Sequence, residues 1–151
     1  MATLEQDAER LNALLMDLIK RYQYRDRNQI CCRGLSVSQC YALMTIKDYG
    51  PVSMRELAAK LYLTISTMTR IVEQLVKKGL VHRRPATRDR RLVLVETGPQ
   101  GEEVIQEIHN IMLATQKEIL SKLSPLKREV VIKALTELTK AIQNWQCECA
   151  R

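Results

Sequence analysis

Five arginines crowd one short stretch, HRRPATRDRRLVLVE at residues 82–96. The guanidinium is the side chain best shaped to grip phosphate. Arg83, Arg84, Arg88, Arg90 and Arg91 surround the turn-forming Pro-Ala-Thr, and within residues 83–91 Asp89 is the one opposing carboxylate, leaving four net positive charges there. A carboxylate among arginines would be repelled by a polyanion, so Asp89 is expected to position a neighbouring guanidinium, that of Arg91. Just upstream, ISTMTRIVEQLVKKGL at residues 65–80 separates into two sides at helical spacing. Ile65, Met68, Ile71, Val72, Leu75 and Val76 form the side expected to be buried. Ser66, Thr67, Thr69 and Arg70 form the other, with Glu73, Gln74 and Lys77. Small hydroxyl side chains let a helix approach a groove closely, and Arg70 has the fork that matches guanine O6 and N7 or a phosphate. Alone, such a face is more often just solvated. The basic stretch beside it turns the reading toward nucleic acid.

A second chemistry is carried by sulfur. The five cysteines are an odd number and include the vicinal pair Cys31-Cys32, which argues for reduced thiols and a cytoplasmic setting rather than a disulfide framework. Singly, a buried cysteine is usually a small hydrophobe. Cys31, Cys32 and Cys40 nevertheless cluster in sequence, and Cys147 and Cys149 lie near the C-terminus. Cys40 falls in the first turn of a capped helix and Arg33 follows Cys32; both settings favour thiolate and reactivity toward oxidants or soft metal ions. Neither C-C nor C-x-C is zinc-knuckle spacing, and His82 and His109 lie far apart, so no structural zinc is expected. No cofactor is required by any motif. With five glycines and no nucleophile elbow, H-E-x-x-H or phosphate loop, the chain does not read as an enzyme.

The elements that must position these residues can be read from caps and periodicity. Leu4, Ala8, Leu11, Leu15, Leu18 and Tyr22 make one seam on a helix over 4–22, followed by a polar segment closed by Gly34. Ser36 with Gln39, and Ser53 with Glu56, form capping boxes that open a helix to about Tyr49 and a short one over SMRELAAKL. Thr64 caps the helix carrying the hydroxyls, and Gly79 ends it. Val81–Arg84 and Leu92–Glu96 read as a β-hairpin with the arginines at its tip. Pro99 and Pro125 each suit a first helical position, and Val131, Leu135, Leu138, Ile142 and Trp145 make a second seam. Two short helices in tandem followed by a basic hairpin are the arrangement of a winged helix-turn-helix. A net charge of +7 fits a polyanionic partner, and no apolar run approaches the roughly eighteen residues of a membrane span.

The segments LSVSQCYALMTI and MRELAAKLYLTISTMTRIVEQLVKKGLVHRRPATRDRRLVLV resemble the multiple-antibiotic-resistance regulator (MarR) family over about residues 35–101. The most diagnostic part is DRR at 89–91 followed by the VLV strand. The resemblance implies a mainly α fold with a small β-hairpin: a winged helix-turn-helix lobe over 35–98, flanked by dimerisation helices over 1–34 and 99–151. It implies a homodimer that binds a palindromic double-stranded DNA site and represses more often than it activates. The contacts would come from Ser66, Thr67, Thr69, Arg70, Arg84, Arg88, Arg90 and Arg91. It also implies a crevice for a small amphipathic inducer, for which Tyr22, Tyr24, Tyr41 and Tyr49 are candidates, and a dimer in which Cys147 and Cys149 approach Cys31 or Cys32 of the other copy. One departure is Thr97-Gly98, where the family commonly has Leu-Thr; Gly98 can still cap the next helix. The alternative function is a winged helix that docks on protein, for which so basic a hairpin has no use.

Overall fold

The computed structural model describes residues 3–30, 34–87, 89 and 91–149, with the side chains of 29, 30 and 146–149 excepted. Cys31, Cys32, Arg88 and Arg90 lie outside the described residues, as do the side chains of Cys147 and Cys149. The chain forms two compact units, Met1–His109 and Asn110–Arg151.

The first unit begins with α1, Leu4–Ile30, which runs well past the Tyr22 expected from its apolar seam. No glycine or proline interrupts residues 23–30, and the added turns are anchored. The Arg25 guanidinium stacks 4.2 Å over the Tyr22 ring, and its Nε donates to Asp26 at 2.8 Å. Tyr41 on α2, Val37–Tyr49, donates its hydroxyl to the same carboxylate at 2.6 Å. Asp26 is buried by these partners. The Ser36–Gln39 capping box is fully formed at the start of α2. Thr3 and Gln6 exchange the same pair of bonds at the start of α1, a cap the seam alone did not reveal.

Ser53 caps α3, Met54–Lys60, with Glu56 returning the bond; the Ser53 hydroxyl and amide hold the Glu56 carboxyl below its ordinary range. After a tight turn, α4 covers Ile65–Lys77. Gly79, at φ +71°, supplies the left-handed residue that ends it. The hairpin is β2, Val81–Pro85, against β3, Val93–Thr97, with His82 opposite Glu96 and Arg84 opposite Leu94. Sequence periodicity missed a third strand: β1, Val52–Ser53, pairs with β3, giving the order β1-β3-β2. Two residues are too few for alternation to register.

Leu43, Ile46, Leu57, Met68, Val72, Leu75 and Val95 are essentially inaccessible and form the core of this unit. Each such side chain contributes about 1.5–3 kcal/mol by leaving water. Three residues expected in the core fall short of it, Ile71 being half-buried and two others exposed. Ile65, at the first position of α4, is 53% exposed, and Val76, at its last turn, is 37% exposed. Both lie at the edge of the apolar stripe, where the covering elements end. The helix α5, Pro99–Ser121, starts from Gly98, whose carbonyl accepts the Glu102 amide at 3.0 Å while its own N–H donates to Leu80. Gly98 thus takes the capping place the sequence assigned to it. Glu102 bonds Lys47 and Thr97, which hold its carboxyl below the ordinary range.

In the second unit, α6 spans Pro125–Cys149. Arg128, in its first turns, donates Nε to the Leu120 and Leu123 carbonyls at 2.8 and 2.9 Å, satisfying acceptors that the end of α5 leaves open. No helix among the described residues is long and apolar enough to cross a membrane.

Candidate nucleic-acid interface

The rotation of α4 about its axis is fixed by Met68, Val72 and Leu75, which are buried to 0% exposure. With those three inward, Ser66, Thr67, Arg70, Glu73, Gln74 and Lys77 face solvent and Thr69 is half-buried. The N-cap binds its neighbours into one cluster: Thr64 Oγ1 lies 3.1 Å from Ser66 Oγ and 2.9 Å from Thr67 Oγ1, and it accepts the Thr67 amide at 3.2 Å. Thr69 donates its hydroxyl to the Ile65 carbonyl at 2.8 Å, which leaves its oxygen able to accept. Hydroxyls, a helix N-terminus and an exposed guanidinium therefore share one surface. That surface can give hydrogen bonds to phosphate oxygens and to base edges.

The hairpin is braced from within. Glu96 accepts from Arg84 Nε at 2.8 Å and pairs with His82 Nε2 at 2.8 Å, and the Arg84 bond above all holds its carboxyl below the ordinary range. Arg84 thus has one donor committed to the sheet and its remaining N–H groups available outward. Glu96 escaped the sequence reading; its signal is the strand period, which sets it on the same face as the cross-strand bases 82 and 84. Arg83 and Arg91 are exposed. Asp89 does not hold the Arg91 guanidinium as expected: its Oδ1 accepts the Arg91 backbone N–H at 2.9 Å. An Asp reaching its own chain two residues on is a turn-forming contact, so Asp89 shapes the loop rather than aiming a charge. The ladder continues toward the tip through the Ala86 amide and Leu92 carbonyl at 2.8 Å.

Residues 35–93 match the model of the MarR family. The structure of a MarR family protein from Bacillus stearothermophilus matches with a TM-score of 0.85 at 25% identity, over 94% of this chain and 99% of that one. The winged-helix segment of this chain is thus similar in sequence and fold to the MarR family. A curated relative, the uncharacterized HTH-type transcriptional regulator YdgJ of Bacillus subtilis, is 29% identical over 129 residues, 82% of this chain and 79% of its own. FabT of Streptococcus pneumoniae, solved in complex with DNA, shares the fold at a TM-score of 0.78 and 20% identity, over 91% of this chain and 98% of that one. These matches support a DNA-binding transcriptional regulator of the MarR type.

The tyrosines expected to line a ligand crevice fall into two groups. Tyr22 and Tyr41 come together on a cleft of about 570 Å³ between α1 and α2, with Ile19, Asp26, Arg27 and Val37 also on its walls. Tyr24 and Tyr49 do not join them: both are exposed, and Lys60 Nζ sits 3.4 Å over the Tyr49 ring. Cys40 corrects a sequence expectation. Its side chain is inaccessible, 3.9 Å from Met44 Sδ, and burial, with the nearby Asp26 carboxylate, pushes the thiol up to about 11. The pull of the first helical turn toward thiolate is outweighed by desolvation.

Proposed function

We propose that this chain is a homodimeric repressor that holds a palindromic operator, with α4 of each copy in the major groove and the β2–β3 tip against the neighbouring minor groove. The observation that carries this reading is the single outward surface of Ser66, Thr67 and Arg70 beside a hairpin exposing Arg83 and Arg91. A narrow minor groove concentrates negative potential, where arginine gains most. Dimerisation is supported by unpartnered apolar faces on the terminal helices: Leu4, Leu11, Leu14 and Leu18 on α1, and Val131, Leu135, Ile142 and Trp145 on α6, are all exposed. A two-fold dimer reads two half-sites a helical turn, or a multiple of one, apart.

Release is assigned to a small amphipathic molecule in the Tyr22–Tyr41 cleft. The cleft supports this with both apolar and polar side chains on its walls, Ile19 and Val37 among the first, Asp26 and Arg27 among the second. Thiol or soft-metal sensing is the second reading; Cys40, buried and with its thiol pKa raised, does not favour it. Selecting bound duplexes from a random pool tests the DNA reading: a palindrome is expected, and recovery of no sequence would sink it. Alkylating the thiols and repeating the DNA titration separates the two sensors. Unchanged affinity and unchanged inducer response would remove the thiol.

A further inference from the structure

The leading residue of α4 is apolar and outside the core. Ile65 follows the N-cap Thr64 directly and is 53% exposed, although its spacing sets it in line with Met68 and Val72, both fully buried. The turn before it is similar: Leu63 is 38% and Tyr62 78% exposed, with Tyr62 held at φ +54°, a backbone region L side chains seldom occupy. On its helix side Ile65 is flanked by hydroxyls, with that of Thr64 hydrogen-bonded to those of Ser66 and Thr67. So an aliphatic group stands at the tip of the helix whose first residues would meet base edges.

We propose that Ile65 reads the 5-methyl group of thymine. Of the groups the four base pairs present in the major groove, that methyl is the apolar one; the others are hydrogen-bond donors or acceptors. The hydroxyls of Ser66 and Thr67 and the fork of Arg70 match the donors and acceptors, and Ile65 supplies the complementary apolar contact. Its branched Cβ holds χ1 in a single well within a helix, so ordering it against a base loses little freedom. Contact removes from water an aliphatic surface that folding leaves half open. This inference rests on α4 entering the major groove as proposed above, and it adds which base the helix tip prefers.

The test replaces one thymine at a time by deoxyuridine in a duplex selected by the wild-type protein, removing the methyl and leaving every hydrogen-bonding group in place. Binding is titrated for wild type, Ile65→Ala and Ile65→Val. At one position per half-site, loss of the methyl is expected to weaken wild type about fourfold, the factor that ~0.8 kcal/mol per methylene-sized group gives. Ile65→Ala should bind the thymine duplex more weakly and be indifferent to deoxyuridine there, with Ile65→Val between the two. A wild type that binds the duplex but ignores every substitution would overturn the inference while leaving the DNA reading intact. So would an Ile65→Ala variant as sensitive as wild type, which would hand the methyl to another side chain. If wild type selects no duplex at all, the groove placement of α4 fails and this inference fails with it.

Discussion

At the scale of single residues, the buried ionisable groups set the most direct tests. Asp26 is buried and takes bonds from Arg25 and Tyr41, so Asp26→Ala strands a guanidinium whose side chain is only 12% exposed. Breaking such a pair from one side is expected to lower stability by about 3 kcal/mol, read from the urea midpoint, against about 1 kcal/mol for Tyr41→Phe. Alkali should act through the same corner. The Cys40 thiol is raised from 9.0 to about 11 by burial, and the Tyr41 phenol from 10.0 to about 12 by burial and its bond to Asp26. A folded-state value above the unfolded one means the protonated form favours folding. Its stabilisation is complete below pH 9 and is lost as pH climbs from 9 to 12. Cys40→Ala should flatten the first part of that decline in thermal melts across this range; an unaltered profile would contradict the assignment. The outward placement of Ser66, Thr67 and Arg70 was legible in sequence because their surroundings are a few residues of one helix. Asp26–Tyr41 was not, because it joins two helices by packing across 15 residues that no local pattern encodes, and Arg84–Glu96 becomes legible only once the hairpin register is known.

Among the elements, caps proved the most readable signals. Ser36, Ser53 and Thr64 all accept the amide they were expected to accept, since a cap needs only the residue types three apart. Where tertiary contact decides, the pattern ran short: α1 continued past its seam, β1 went unseen, and Ile65 and Val76 fell outside the core. Gly101 is another such case. A Cβ there would lie 2.1 Å from the Leu80 carbonyl oxygen, so the first turn of α5 can approach the start of the hairpin only with glycine at this place. Gly101→Ala is expected to cost about 2–3 kcal/mol, as other overpacked sites do. Because β2 begins beside Leu80, it should also loosen the hairpin and weaken DNA binding. A variant with wild-type melting temperature would show that this approach has room to give.

For the molecule as a whole, assembly and DNA binding belong together. Ile132 and Leu135 are 55% and 47% exposed on α6. If that face is covered by a second copy, Ile132→Asp with Leu135→Asp should sediment as monomer where the wild-type chain sediments as dimer. Half-operator binding should survive in weakened form, since the DNA-reading lobe is a separate surface. The central claim is that the hairpin guanidiniums and the α4 surface grip duplex DNA jointly, and the salt dependence of binding tests it most directly. Should a dimer neutralise roughly eight phosphates, log K falls with log salt at a slope of about −7; removing Arg83 and Arg91 from both copies should bring it to about −3.5. A wild-type slope near zero, or one left equally steep by Arg83→Ala with Arg91→Ala, would contradict the account.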